Sequence, residues 1–173
     1  YNALIKALLP RLMHHMRMRD KASVDRVDQF IANSRTVKQR IQKYYRHPSD
    51  VMYPPVDTHL FQVSENVGDY YLTGGRIVKY KRFDLVIQVF NRLGWKLKIF
   101  GIGPDLNRLK SMAKSNIEFI GFVDDAQKAK LFQNAKAFLN PQLEEFGITV
   151  VESMAGGTPV IAYGVGGATE SII

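Results

Sequence analysis

Apolar positions recur along this chain with two different periods. Between residues 2 and 18 they fall at Leu4, Ala7, Leu8, Leu12 and Met16, the three-and-four spacing of one helical face, and Pro10 inside that run predicts a kink or break. The short apolar segment DQFIANS, residues 28–34, predicts a strand. Ser34 stands where a helix N-cap belongs, ahead of RTVKQRIQKYY, which sets Val37, Ile41 and Tyr44 on one face. DVMYPPVD predicts another strand, ended by Pro54-Pro55, and residues 54–69 read as a connector.

From residue 70 the two periods alternate regularly. YYLTGG predicts a strand and RFDLVIQVFNRLG an amphipathic helix closed by Gly94. KLKIFGIG, IEFIGFV, KAFLNP and PVIAYG predict further strands. Between and after them, DLNRLKSMAK, DAQKAKLFQNA, GITVVESMAGG (with Gly156 as C-cap) and ATESII predict helices. Trp95, just after Gly94, is expected to pack under the sheet. About five β-α units at this spacing predict an α/β fold: a Rossmann-like, doubly wound parallel sheet with helices on both faces and right-handed crossovers.

Composition narrows the class. Of 173 residues, 46% are apolar and 23% charged, ordinary globular values. No window approaches ~18 apolar residues, and the first twenty are too polar to form a secretory signal. The absence of cysteine excludes disulfides and thiolate metal sites and fits a reducing compartment, so a cytoplasmic location is expected. The chain lacks an initiator Met and stops inside ATESII, which leads us to expect a partial chain. On that expectation, residues 1–53 are the end of one incomplete domain, 54–69 an interdomain connector, and 70–173 a second domain lacking its own end.

The formal charge of +8 is uneven: residues 1–50 hold 11 Lys/Arg and 4 Asp/Glu, the rest 13 and 12. A solvated basic face is the plainest account of this, and contact with an anionic membrane the next. The aromatic residues do not interleave with the basic ones as stacking platforms would, so no nucleic-acid partner is expected.

The residues with chemistry fall at strand ends, where open parallel sheets gather ligands. Gly75 and Arg76, Gly101 and Gly103, Gly121, the run from Pro141 to Gly147, and Gly164 to Gly167 each follow a predicted strand. FGIGPDL is not a Gly-x-Gly-x-x-Gly fingerprint, because Leu106 replaces the third glycine. Gly147 precedes a helix beginning near Ile148 or Thr149, whose free N–H groups and dipole suit a phosphate. Glu144 lies in the loop before that helix and Glu152 about one turn inside it. Carboxylates accept hydrogen bonds from vicinal hydroxyls, so Glu144 suits a sugar and Glu152 a ribose. Arg76 and Lys81 supply the positive charge that two carboxylates beside a polyanion require. The plainer account of the two acids is a surface carboxylate and a helix N-terminal one. His14, His15, His47 and His59 have no convincing ligand set around them.

Taken together these residues resemble the E-x7-E signature of the retaining GT-B glycosyltransferases, the glycosyltransferase group 1 type. The matching positions are Glu144, Phe146, Gly147, Glu152, Ala155, Gly157, Pro159 and Val160. GGRIVKYKRFDLVIQVF resembles the family's Gly-Arg, five-residue step to Lys and following helix, with Gly75, Arg76 and Lys81 in place. FGIGPDLNRLK, IEFIGFVDD, YGVGGATE and YPPVDTHLF resemble further family segments in the same order. Arg82 and Glu145 stand where glycine is common in the family, and only the spacing to Glu152 chooses Glu144 over Glu145.

The resemblance implies one half of a GT-B fold, two Rossmann-like domains facing each other, with residues 70–173 binding a nucleotide-sugar donor. Residues 1–53 would then belong to the acceptor-side domain. Arg76, Lys81 and Glu144 would carry the catalytic work. Gly75, Gly101, Gly103, Phe122, Val123, Phe146, Gly147, Ile148, Thr149 and Glu152 would bind the donor, with Phe122 and Val123 against the base. A sugar would pass, with retained anomeric configuration and without metal or other cofactor, to a saccharide or lipid-linked acceptor. VMYPPVDTHLF leans towards mannosyltransferase-like members, hence GDP-mannose ahead of UDP-sugars. A nucleotide-sugar epimerase of the same fold and a non-catalytic nucleotide-binding module are the competing readings. Residues 1–173 alone are expected to bind nucleotide without turnover, with peripheral contact at the inner face of the membrane.

Overall fold

Residues 3–172 are described by a computed structural model, and the chain divides after Tyr53 into two compact units.

The first unit opens with helix α1, Ala3–Ser23, followed by a single 3-10 turn at Val24–Arg26. Pro10 neither breaks nor ends α1. Proline removes one donor and crowds one carbonyl, that of Lys6, while the turns on either side keep their own bonds. Strand β1 (Phe30–Ala32) and strand β2 (Ser49–Val51) pair in parallel around helix α2 (Arg35–Tyr45). The Ser34 hydroxyl accepts from Val37 N at 3.1 Å, the N-cap its position predicts. Ile41 is buried from α2, but Tyr44 is exposed, correcting its place on the packed face. Tyr45, half-buried, instead meets the Phe30 ring at 5.7 Å and donates its hydroxyl to Asp20 Oδ2 at 2.9 Å.

The second unit alternates strand and helix throughout. Its strands are β3 (Tyr70–Gly74), β4 (Leu97–Phe100), β5 (Ile117–Gly121), β6 (Ala135–Asn140) and β7 (Val160–Ala162). Its helices are α3 (Phe83–Leu93), α4 (Leu106–Met112), α5 (Asp125–Gln133), α6 (Ile148–Ala155) and α7 (Ala168–Ser171). The sheet is parallel throughout, in the order β5-β4-β3-β6-β7. Side chains alternate across it. Leu97, Ile99 and Tyr71 pack with Phe83, Ile87, Phe90 and Leu109 beneath α3 and α4. Tyr70, Leu72, Phe100 and Phe138 pack with Phe132 of α5 on the other face. Trp95 is not under the sheet; it is half exposed and stacks flat on Tyr71 at 5.4 Å. An indole directly after a helix C-cap reaches the sheet's end before its underside.

The order in which strands are added reverses at β3. β4 and β5 build outward on one side of it, β6 and β7 on the other. The loops leaving β3 and β6 therefore diverge and leave a crevice at the carboxyl ends of these two strands. That position, rather than any single motif, locates the site.

Candidate functional site

The loop after β3 carries Gly75 and Arg76 and then a 3-10 turn, Lys79–Lys81. Arg82 ends that turn in the left-handed region, φ 56°, and leads directly into α3. The turn folds Lys81 back over the strand end, so that a Cβ on Gly75 would lie 3.5 Å from Lys81 Nζ. Across the crevice, the loop after β6 presents Glu144. Lys81 Nζ lies 2.9 Å from Glu144 Oε1, and both side chains are largely shielded from solvent. Gln142 Nε2 donates to the same oxygen at 2.9 Å. Among the described residues no donor reaches Glu144 Oε2.

The main chain at Glu144 is fixed from a third loop. Gly167 N donates to Glu144 O at 2.8 Å, and Glu144 and Gly166 form a parallel bridge. A Cβ at Gly167 would overlap the Glu145 carbonyl oxygen, so this approach requires glycine. Of the two adjacent acids, Glu144 is the one whose carboxylate meets Lys81.

Gly147 follows at φ 88° and α6 begins. Val150 N bonds back to Gly147 O at 2.9 Å, so the N–H groups of Ile148 and Thr149 stand ahead of the first intrahelical bond. These are orphan donors of a helix start, with the dipole behind them. One turn further, Glu152 Oε1 receives Lys128 Nζ from α5 at 2.8 Å. Lys128 also reaches Asp125 Oδ1 at 3.0 Å. Burial alone would push the Lys128 ammonium below the ordinary lysine value. The hydrogen bonds to Glu152 and Asp125 outweigh it and hold the group above that value.

The structure thus brings Gly75, Lys81 and Glu144 together and runs Phe146, Gly147, Ile148, Thr149 and Glu152 away from them along one segment. Phe146 is buried. Arg76 is exposed on the β3 loop and pairs with no carboxylate among the described residues. Gly101 and Gly103 press on the β3 loop: a Cβ at Gly101 would overlap Gly75 O, and one at Gly103 would overlap Ile77 O. Their absent side chains let two strand-end loops lie back to back. Val123 packs against the Phe100–Phe132 core, whereas Phe122 is 74% exposed. Sequence reasoning missed two side chains. Gln142 precedes Glu144 by two positions, and Lys128 lies in the first turn of α5, a helix whose start faces the same rim as the other strand ends.

Two anion-seeking elements, the Lys81 ammonium and the α6 start, therefore flank a carboxylate with one oxygen unengaged, and a second carboxylate stands a turn away. Such a site can hold a diphosphate between hydroxyl-bearing rings.

Residues 59–173 match the family model described as glycosyl transferases group 1. An uncharacterised glycosyltransferase of Methanocaldococcus jannaschii is 28% identical over 153 residues, 84% of this chain and 43% of that protein. The O-antigen chain mannosyltransferase C of Escherichia coli is 28% identical over 179 residues, 95% of this chain and 48% of that one. Anabaena Alr3699/HepE, crystallised in complex with UDP and glucose, superposes with a TM-score of 0.79 at 19% identity, over 93% of this chain and 52% of that one. Identity that low shows a shared fold alone. The chain spans less than half the length of these two curated relatives.

Proposed function

The chain belongs to the group 1 glycosyltransferases, and from that membership we propose that it transfers a hexosyl group from a nucleoside-diphosphate donor with retention of configuration. The observation that carries this reading is the 2.9 Å contact between Lys81 and Glu144 at the crevice between β3 and β6. In the proposed arrangement the diphosphate lies between Arg76, Lys81 and the first N–H groups of α6, at Ile148 and Thr149. Charge develops on the diphosphate as its bond to the sugar breaks, and preorganised cations and helix amides stabilise it. Glu144 accepts from the sugar hydroxyls, and Glu152 from the ribose hydroxyls, with Lys128 aiming the second carboxylate. Phe122 and Val123, beyond Gly121, border the base, where the exposed Phe122 ring offers a stacking face.

GDP-mannose is the favoured donor, supported by the VMYPPVDTHLF segment and by the mannosyltransferase name of the E. coli relative. A UDP-sugar is next, since the Anabaena neighbour holds UDP. The acceptor is a saccharide or a lipid-linked saccharide. A peripheral contact between α1 and anionic lipid belongs to the same reading, supported by the exposed apolar stripe and the basic charge of that helix.

Calorimetric titration with GDP, UDP and ADP tests the placement. Arg76→Ala and Lys81→Ala should each weaken the preferred nucleotide by roughly 1–3 kcal/mol. A bound diphosphate located away from these two residues would overturn the assignment.

A further inference from the structure

Gln142 is 2% exposed, and its amide is only half satisfied. Its orientation is chemically determined: only the nitrogen can donate to the Glu144 carboxylate, so the nitrogen faces Glu144 Oε1 at 2.9 Å. That leaves Gln142 Oε1 against the interior with no donor among the described residues. A buried acceptor without a partner is disfavoured, and a methionine or leucine would fill the same space without one. Packing therefore does not account for an amide here. The carboxylate it holds does.

Glu144 Oε1 has two donors of different character. Lys81 is a flexible point charge, free to turn towards an arriving diphosphate. Gln142 is neutral and fixed by burial just past the end of β6. When Lys81 is drawn to phosphate, only Gln142 keeps Oε1 engaged and the carboxylate in its rotamer. We propose that Gln142 is the positioning residue for Glu144: it saturates Oε1 throughout the reaction, so that Oε2 alone is presented to a hydroxyl of the donor sugar. This rests on the reading of Glu144 as the sugar-binding acid.

The test compares GDP with GDP-mannose, and UDP with UDP-glucose, on the intact protein. A residue acting through Glu144 affects the sugar and not the nucleotide. Gln142→Met, of similar length and without a donor, should leave nucleoside-diphosphate affinity within about twofold of wild type. Nucleotide-sugar affinity and kcat should each fall by about tenfold, one hydrogen bond to a charged group. Gln142→Glu, of the same shape but acceptor-only, should fall further, because two carboxylates then face each other. In a Glu144→Gln background Gln142→Met should add nothing, since the two losses are one. The inference is overturned if Glu144→Gln selectively loses the sugar while Gln142→Met behaves as wild type. It is overturned equally if Gln142→Met and Gln142→Glu weaken diphosphate and nucleotide-sugar alike, the mark of a merely structural residue. If Glu144→Gln itself leaves the sugar preference intact, the reading beneath falls and this inference with it.

Discussion

At the scale of single residues, the pair Lys128–Glu152 is where stability and site meet. Glu152→Ala should cost roughly 1–3 kcal/mol of nucleotide affinity if the carboxylate holds a ribose, and an unchanged affinity in calorimetry would remove it from the site. Lys128→Met should destabilise the fold by roughly 1–2 kcal/mol at neutral pH, since it leaves a shielded carboxylate without its cation. The pH dependence has a definite sign. The folded state holds Lys128 above its ordinary value, through Glu152 and Asp125 and against burial. The stabilisation is therefore complete below about pH 10.4, the unfolded lysine value, and is lost as pH rises through the folded one. Urea midpoints of wild type and Lys128→Met should differ most near neutrality and converge in strong alkali. A gap that widens with alkali would contradict this. Arg82 makes the opposite case, a residue ill-suited to its place. It holds φ 56° and its pair with Asp84 is exposed at 3.4 Å, worth little. Arg82→Gly should raise stability by about 0.5–1 kcal/mol, because relief of the left-handed strain exceeds the added chain entropy. A lower melting temperature would show that the arginine contributes more than its contacts suggest.

At the scale of elements, the sequence was most readable where burial enforces a period. Leu97 and Ile99 are buried beneath α3 and α4, while Lys98 between them turns to the other, partly open face of β4, where its ammonium lies over the Tyr70 ring; Val86, Ile87 and Phe90 of α3 recur at helical spacing because one face of that helix is buried. The Ser34 cap was legible because capping is local chemistry. Pro10 was not, because whether one lost hydrogen bond ends a helix depends on the turns around it. Tyr44 and Tyr45 are adjacent aromatics, and only the position of Phe30 decides which one packs. Within the candidate site, the placement of Glu144 and Glu152 along one loop-and-helix segment was legible from their spacing. Lys128 and Gln142 were not. Lys128 reaches Glu152 across 24 positions of sequence, and nothing but burial distinguishes Gln142 from an ordinary loop glutamine. The helix carrying Lys128 is itself capped reciprocally, Gln127 N donating to Asp124 Oδ1 at 2.7 Å and Gln127 Oε1 accepting from Asp124 N at 3.1 Å. Asp124→Ala should therefore cost about 1 kcal/mol of stability and also loosen the hold on Glu152, although residue 124 lies outside the crevice. Chemical denaturation alongside nucleotide titration separates the two effects. A stability loss with full nucleotide affinity would show that the α5 start is not needed to aim Glu152.

At the scale of the whole molecule, charge and function separate along the chain. Residues 1–50 carry 11 Lys/Arg against 4 Asp/Glu, while the remainder, holding the candidate site, is nearly balanced at 13 against 12. Within α1, Ile5, Leu8, Leu9, Leu12, Met13 and Met16 are all exposed and share one stripe, spaced by three and four. Lys6 and Arg17 border that stripe by helical spacing. No described helix is long and apolar enough to cross a membrane, and the contact proposed for α1 is with a lipid surface. A helix of this kind binds by two contributions that respond to different perturbations. Its cationic part is screened by salt over about 10 Å at 0.1 M, and its apolar part is not. The proposed contact therefore predicts co-sedimentation of the intact protein with phosphatidylserine-containing vesicles at low salt, weakening steeply as salt rises. Leu12→Asp should abolish binding even at low salt, because it places a charge in the middle of the stripe. Lys6→Gln combined with Arg17→Gln should weaken binding and flatten its salt dependence. Equal binding to uncharged vesicles, or indifference to Leu12→Asp, would return the basic half of the chain to the simpler role of a solvated face.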